Sequence, residues 1–244
     1  MSDVTDHDRS SPWTRPGFIG AAIVLAVIAV LGVTVAVLGP AHDQAPAPPR
    51  PGVSGAVAPP AGSACGLPDG DQRVPRTTPA DTRWELVGTM AAPTAPDRYG
   101  PAGNRDGVRT CFARTPVGAL YAAVNVVATT TRADLRLPLV RVLGAPGAGR
   151  DTALSKLASA STQDADQTKI QLAGFSVLTY TRDTATVDLA MRVAGQSSNG
   201  YAHLPVQLTW QDDDWRIVIP ASGDIGDGIS GLPDLTGYIP WSGA

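Results

Sequence analysis

Between residues 169 and 219, apolar and polar residues alternate along four successive segments, and this pattern constrains the fold more than any other feature. The predicted strands cover residues 169–181, 186–193, 202–210 and 215–219. Gly174 predicts a bulge or bend in the first of them. The polar breaks TRDT, GQSSNG and QDDD are typical of turns. Consecutive hairpins predict an antiparallel sheet with one apolar face that other elements must cover.

Three segments with helical spacing precede the sheet and are the available cover for its apolar face. They span residues 115–131, 133–144 and 149–161. Pro138 predicts a kink or restart in the second helix, and Asp151 is the expected cap of the third. One earlier strand is predicted at residues 83–90, whereas the Pro- and Gly-rich residues 90–107 are expected to have little core of their own. The sequence therefore predicts an α+β fold of about three helices packed on a curved antiparallel sheet.

The helix at 115–131 contains no charged residue, which is unusual for a helix with one side in water. Thr115 suits the N-cap and Pro116 the first helical position. We expect its large apolar side chains to pack on the concave face of the sheet; these are Val117, Leu120, Tyr121, Val124, Val127 and Ala128. The opposite side carries Gly118, Ala119, Ala122, Val126 and Thr129. We expect the second helix, the C-terminal tail or a neighbouring subunit to cover that side.

An apolar segment at residues 18–38 contains no charged residue and predicts a transmembrane helix. At about 1.5 Å per residue, it is long enough to cross the roughly 30 Å of a bilayer core. Arg9 and Arg15 precede the segment, which places residues 1–17 in the cytoplasm and the rest of the chain outside the membrane. The alternative is a cleaved signal peptide, because a weak Ala-x-x-x-Ala stretch follows from Ala41 to Ala45.

Residues 39–64 are rich in proline and predict a semi-rigid linker that holds the following domain away from the membrane. A proline-rich partner-binding motif is the alternative. Cys65 and Cys111, the two cysteines of the chain, both lie on the predicted outer side. An even count in an oxidising compartment predicts one disulfide, with Cα atoms within about 7 Å and a stabilisation of about 4 kcal/mol. Two unpaired buried cysteines are the alternative.

The sequence offers little evidence for catalysis, a cofactor or a metal. It contains no nucleophile elbow, phosphate loop or zinc-ligand spacing. His7 and His42 fall in the cytoplasmic tail and the linker. His203 and Asp188 alternate with apolar neighbours on their strands, so both are expected to face solvent. We therefore expect no catalytic, cofactor-binding or metal-binding residue, and no enzyme activity.

Other polar groups have a purely structural interpretation as well as a functional one. The acidic run at 212–214 predicts a solvated hairpin turn, because it lacks the alternating ligands of a calcium loop. Tyr121 and Asn125 are candidates for polar groups that line a pocket, with core packing as the alternative. Ala122, on the small side of the helix, and Trp241, in the tail, complete the set of candidate pocket or interface residues.

The C-terminal tail at residues 221–244 keeps several apolar residues among its glycines and prolines. Exposed apolar groups at that density need a surface, so we expect the tail to pack over the domain or to dock on a partner. A formal net charge of −3 argues against a surface that binds nucleic acid.

Three helical segments followed by an antiparallel meander resemble the nuclear transport factor two-like fold, in which a curved sheet wraps over a helix to form a cone. The segment VQLTWQDDDWRIV at 206–218 is similar to the last hairpin of that fold. With the membrane segment and the linker, the chain resembles the TcpC-like conjugal transfer proteins of Gram-positive bacteria. These are single-pass assembly components of type IV secretion systems, and they often carry two such domains where this chain has room for one.

The resemblance implies a cone-like domain at residues 65–220, anchored in the cell membrane and lying outside the cytoplasm. The implied partners are the lipid bilayer, other membrane or transfer-complex proteins, and further copies of the chain. Direct binding of nucleic acid and a cofactor are not expected. One alternative is a cell-envelope domain that binds a ligand or catalyses a reaction in a pocket beside the helix at 115–131. Another is a cell-envelope accessory protein unrelated to DNA transfer.

Overall fold

The computed structural model describes residues 65–160, 169–193 and 200–243. The predicted cytoplasmic tail, membrane segment and linker, at residues 1–17, 18–38 and 39–64, lie outside the described residues. Within the described ranges, no helix has the length and apolar character needed to cross a membrane. The fold is α+β, with three helices packed on antiparallel sheets, as predicted.

The three helices and the four strands of the meander follow one another in the predicted order, whereas only one of the four earlier strands and neither C-terminal strand was predicted. The helices are α1 Pro116–Thr130, α2 Ala133–Leu143 and α3 Ala148–Ser159. Four strands precede them, namely β1 Arg83–Val87, β2 Met90–Thr94, β3 Gly103–Arg105 and β4 Val108–Thr110. Six strands follow, namely β5 Ile170–Tyr180, β6 Thr184–Val193, β7 Tyr201–Gln211, β8 Asp214–Ile217, β9 Ser230–Leu232 and β10 Ile239–Pro240.

The main sheet has the order β10-β5-β6-β7-β8, and β9 also pairs with β7. Strands β5 to β8 form the predicted antiparallel meander. Because β6 occupies one edge of β7, both β8 and β9 lie along the other edge, at opposite ends of the strand. The register of β5 shifts between Leu172 and Gly174, which confirms the predicted irregularity at the glycine.

The prediction that residues 90–107 have little core of their own was wrong. Strand β2 lies within this range and forms a hairpin with β1, and a second hairpin joins β3 to β4. Met90 and Ala92 are completely buried, and β2 packs against α1. The small apolar residues of the sequence MAAPT supply this burial, although the prolines and glycines around them conceal the pattern.

Helix α1 is the centre of the domain. Every residue from Gly118 to Thr129 is buried, and the helix contacts α2 as well as strands of both the β1-β2 hairpin and the main sheet. Thr115 caps it as predicted, because its Oγ1 accepts the backbone N–H of Gly118 at 2.9 Å. Of the predicted apolar stripe, Val117 alone is only half-buried. The helix therefore carries no charge because the domain encloses it on both sides.

The other two helices differ from the sequence prediction at one residue each. Pro138 lies inside α2 without ending it, so the predicted restart does not occur. Its missing N–H removes one intrahelical hydrogen bond, the one to the carbonyl of Asp134, and the helix continues past this gap. Asp151 does not cap α3; the cap position belongs to Gly147, and the acidic side chain lies in the first turn. A carboxylate there still suits the positive end of the helix dipole.

The C-terminal tail packs on the domain. Strand β9 extends the sheet beside β7, whereas β10 pairs with β5 at the far edge. The residues between β9 and β10 must therefore pass from one edge of the sheet to the other. They cross the face that carries Asp188 and Ala190, and both of these residues are buried. We call this the outer face; the inner face of the same strands packs on α1.

Candidate functional site

Three of the four predicted pocket or interface residues lie on α1, and all three are buried in the domain. Tyr121 and Ala122 have no exposed surface, and Asn125 is 1% exposed. The Tyr121 hydroxyl bonds the Thr82 hydroxyl at 2.7 Å. Burial raises the pKa of Tyr121 to about 12. This phenol therefore stays protonated at neutral pH and serves as a polar anchor inside the core.

Asn125 joins α1 to the first hairpin. Its Nδ2 donates to the carbonyl of Pro93 at 3.0 Å and to that of Tyr121 at 2.9 Å. Its Oδ1 accepts a long bond from Arg109 at 3.4 Å. Since both ends of the amide have hydrogen-bond partners, Asn125 is a buried core residue with its hydrogen bonds satisfied. Its bond to Pro93 fixes the position of the neighbouring strand β2.

Trp241, the fourth candidate, inserts the end of the tail among aromatic rings of the core. Its ring centroid lies 4.9 Å from that of Trp84, 5.3 Å from that of Phe175 and 5.7 Å from that of Tyr121. Such tilted and edge-to-face contacts add to the stabilisation that burial alone gives. The structure thus brings Trp241 and Tyr121 together in one packed cluster.

An open cleft lies beside the C-terminal end of α1, between the three helices and the inner face of the sheet. Its volume is about 730 Å³, and residues 223–226 and Ile229 of the tail form part of its wall. The apolar lining includes Val127, Leu139, Leu157, Met191, Leu204 and Ile225. Its charged lining residues are Arg136, Lys156 and Asp224. The cleft is therefore mainly apolar and has more basic than acidic groups around it.

The two cations of the cleft are held by backbone carbonyls. Arg136 Nε donates to the carbonyl of Thr130 at 2.8 Å, and Lys156 Nζ donates to that of Ser222 at 2.7 Å. Because these carbonyl acceptors are neutral, they do not neutralise the charge of either cation. An anionic group at the edge of the cleft would therefore find two cations nearby.

Four polar side chains form a connected row on the outer face, and we call them the outer polar row: Asp188, His203, Ser230 and Tyr238. The Ser230 hydroxyl lies 2.7 Å from His203 Nε2, and His203 Nδ1 lies 3.1 Å from each oxygen of Asp188. The Tyr238 hydroxyl donates to Asp188 at 2.6 Å. Sequence reasoning missed this row.

The prediction that Asp188 faces solvent was wrong and the same prediction for His203 was only partly correct, although their assignment to the face opposite the apolar residues was correct. Asp188 is only 6% exposed and His203 is half-buried, because the tail crosses above them. Burial raises the pKa of Tyr238 well above its ordinary value, and the hydrogen bond to Asp188 acts in the same direction. The phenol therefore remains a hydrogen-bond donor to the carboxylate. The apolar residues of the tail were the only sequence evidence that it covers a surface.

The acidic turn divides into two parts. Asp212 and Asp213 are exposed, as predicted, but Asp214 is 7% exposed and begins β8. Its carboxylate accepts the backbone N–H groups of Cys111 at 2.8 Å, Phe112 at 3.0 Å and Trp215 at 2.9 Å. Burial raises the pKa of Asp214, while these three donors act in the opposite direction. The expectation of a wholly solvated turn was therefore wrong at Asp214.

The predicted disulfide joins Cys65 to Cys111, with a Cα–Cα distance of 5.8 Å. It fastens the first described residue to the end of β4, next to the backbone that Asp214 holds. The residues described here contain no group of three or more His, Cys, Asp or Glu side chains arranged to hold a metal ion.

These features define an α+β domain with an enclosed central helix, an apolar cleft on its inner side and a tail that covers its outer face. A family model described as a domain of unknown function, DUF8175, matches residues 44–240. The match covers more than half of the 244 residues, so the chain belongs to this family. No curated protein and no solved structure matches the chain.

Proposed function

We propose that the chain is a membrane-anchored scaffold or assembly component whose domain lies outside the cytoplasm, in a conjugative DNA-transfer apparatus of a Gram-positive bacterium with a high-GC genome. Its partners would be the bilayer, other membrane or transfer-complex proteins and further copies of the chain. The observation that carries the proposal is the disulfide between Cys65 and Cys111. Disulfides persist in oxidising compartments, which agrees with export of the domain across the membrane.

The position of the disulfide also suits a tethered domain. Cys65 directly follows the proline-rich residues 39–64, so the bridge lies where the linker enters the domain. Cys111 is held in turn, because its backbone N–H donates to the buried carboxylate of Asp214. A pull on the linker would therefore act on a cross-linked and hydrogen-bonded part of the domain.

The fold supports the same proposal through its arrangement around α1. Three helices followed by an antiparallel meander are the features on which the resemblance to the nuclear transport factor two-like fold depends. Here α1 contacts strands β5 to β8 on one side and β2 on another. We propose that this domain is a cone of that type, covered on its outer face by the C-terminal tail.

The test uses cells that carry the full chain. Protease added to intact protoplasts should digest the domain, and deletion of the gene should reduce conjugative transfer until the wild-type chain is restored. Leu86→Asp and Leu178→Asp probe an assembly surface, because these apolar side chains are 73% and 55% exposed. At least one of the two variants should fold normally and lose cross-linking to a partner. Complete protection from protease, or unchanged transfer after deletion, would overturn the proposal.

The apolar cleft favours a second function, the binding of an apolar ligand with an anionic group. An apolar chain would lie against residues such as Leu204 and Met191, and the anionic group would approach Arg136 and Lys156. A cleft of about 730 Å³ has the size of a typical small-molecule site.

This second function can be tested with a fluorescent fatty acid. The full chain should bind the probe, and Ala202→Phe should weaken binding because the new ring fills the cleft. Leu178→Phe is the matched control, since Leu178 does not line the cleft. Arg136→Gln should weaken binding of the acid more than binding of the corresponding alcohol. Equal binding by the wild type and Ala202→Phe would exclude the cleft as the site.

A further inference from the structure

We propose that Ser230, His203 and Asp188 form a nucleophilic site on the outer face, at which Ser230 accepts the acyl group of an activated ester. This proposal goes beyond the assembly function and does not use the apolar cleft. Ala202 and Leu204, which flank His203 on β7, line the cleft on the inner side of the strand. The histidine points to the opposite side, as alternation along a strand requires.

The geometry of the three side chains is that of a nucleophile, a base and a group that orients the base. Ser230 Oγ lies 2.7 Å from His203 Nε2, so the hydroxyl can donate its proton to that nitrogen. His203 Nδ1 lies 3.1 Å from both oxygens of Asp188 and can donate to the carboxylate. Because the two contacts use different ring nitrogens, the carboxylate fixes the tautomer that leaves Nε2 free to accept a proton.

The sheet fixes this geometry through its register. Ser230 on β9 is paired directly with His203 on β7, and His203 is paired with Ala190, two residues along β6 from Asp188. Strand pairing therefore places the three side chains next to one another on one face. Neighbouring residues on adjacent strands are close enough for direct side-chain contact.

Exposure increases along the outer polar row from Asp188 to Ser230, as a nucleophilic site requires. Asp188 is 6% exposed, His203 is half-buried and Ser230 is exposed, so the nucleophile is the member that solvent and substrate can reach. An ester can therefore approach the Ser230 hydroxyl from solvent.

Tyr238 acts as a positioning residue. Its hydroxyl donates to Asp188 Oδ2 at 2.6 Å and so helps to hold the carboxylate under the imidazole. Burial raises the pKa of Tyr238, which keeps the phenol protonated as this donor. The tail thus supplies both the nucleophile, through Ser230, and a support for the group that orients the base.

The proposed reaction balances without a redox partner. Ser230 Oγ attacks the acyl carbon while its proton passes to His203 Nε2. The bond from the acyl carbon to the ester oxygen breaks, and the leaving alcohol takes the proton from Nε2. The product is an acyl ester on Ser230. Water can attack this ester in a second step, which releases the carboxylic acid and restores the serine hydroxyl.

The experiment measures the reaction of the full chain with a fluorophosphonate and with p-nitrophenyl acetate, followed by peptide mass spectrometry. Ser230 should carry the adduct, whereas Ser222, an exposed serine of the same tail, should not. His203→Gln should slow modification of Ser230 by about 100-fold or more, which is the usual contribution of a general base. Asp188→Asn should also slow it, and Tyr238→Phe should have a smaller effect.

A purely structural role for the outer polar row predicts a different result. If these contacts only fasten the tail, Ser230 should react no faster than Ser222, and His203→Gln should lower the melting temperature without a specific change in labelling. Thermal melting of each variant separates the two cases, and rates are compared below the lowest melting temperature. Absence of an adduct on Ser230, or equal labelling rates in folded wild type and His203→Gln, would overturn the proposal. Loss of conjugative transfer in a variant that labels normally would concern the assembly function alone.

Discussion

The two faces of the main sheet are covered in different ways, although the same strands form both. The inner face packs on α1 and carries apolar side chains such as Val187 and Leu189, both without exposed surface. The outer face is covered by the C-terminal tail and carries the outer polar row. The inner side is therefore held by burial of apolar area, whereas the outer side also depends on directed hydrogen bonds.

The difference shows how a short segment with few regular elements can complete a domain. Strands β9 and β10 contain three and two residues, too few to be stable alone. They are held because their pairing is combined with the contact of Tyr238 to Asp188 and with the burial of Trp241. The tail thus covers the outer face of the sheet, and its end, at Trp241, lies in the core on the inner side.

Ala122→Arg should have the largest effect, because it places bulk and charge on the inner side. Ala122 has no exposed surface, so the new guanidinium would be buried without a partner or would force α1 away from its neighbours. We expect a loss of more than about 4 kcal/mol, or no folded domain. Chemical denaturation measures the loss, with Leu86→Arg at an exposed site as control. A variant that folds with an unchanged melting temperature would show that this side of α1 is accessible.

Trp241→Ala should rank second, and it tests whether the tail is part of the core. The ring contacts those of Trp84, Tyr121 and Phe175, and the residue is 7% exposed. Removal of a buried tryptophan costs about 3–5 kcal/mol when the cavity does not close. Hydrogen exchange should also show loss of protection in β10. Unchanged stability would mean that the outer face is covered independently of the core.

The inner side could be predicted from the sequence and the outer side could not. Alternation in residues 186–193 and the uncharged helix at 115–131 identify the sheet, its apolar face and the helix that covers it. No local pattern shows that Ser230 pairs with His203 or that Tyr238 reaches Asp188, since these contacts join residues that are far apart in the chain. The buried carboxylate of Asp214 was missed for the same reason, because its partners Cys111 and Phe112 lie far away in the chain, in the segment that follows β4.

Tyr238→Phe should have a smaller effect and isolates the hydrogen bond of the outer face. The substitution keeps the ring and removes the hydroxyl that donates to Asp188 at 2.6 Å. Because the buried carboxylate loses one donor but keeps His203, we expect a loss of about 1–2 kcal/mol. Thermal and urea denaturation measure it, and Tyr201→Phe is a control on the same face. A loss near zero would show that burial alone holds the tail.

The smallest expected effect is a pH dependence of stability, which is absent at neutral pH. It compares the Tyr121 phenol on the inner side with the Tyr238 phenol on the outer face. Burial raises the pKa of Tyr121 to about 12, whereas an unfolded tyrosine has a pKa near 10. Between these two values the unfolded chain releases the proton and the folded domain retains it. The stability contributed by Tyr121 is therefore complete below about pH 10 and is lost as the pH rises toward 12.

Urea denaturation at pH 9, 10 and 11 should show this slope in the wild type. Tyr121→Phe should reduce the slope by up to about 1.4 kcal/mol per pH unit, because one titrating group is removed from the inner side. Tyr238→Phe should reduce it as well, since burial and Asp188 raise the pKa of Tyr238 in the same direction. If only Tyr121→Phe changes the slope, Tyr238 titrates in the folded domain as it does in the unfolded chain. The tail would then leave the outer face open to water. The two faces would in that case differ in how tightly they are packed as well as in their polarity.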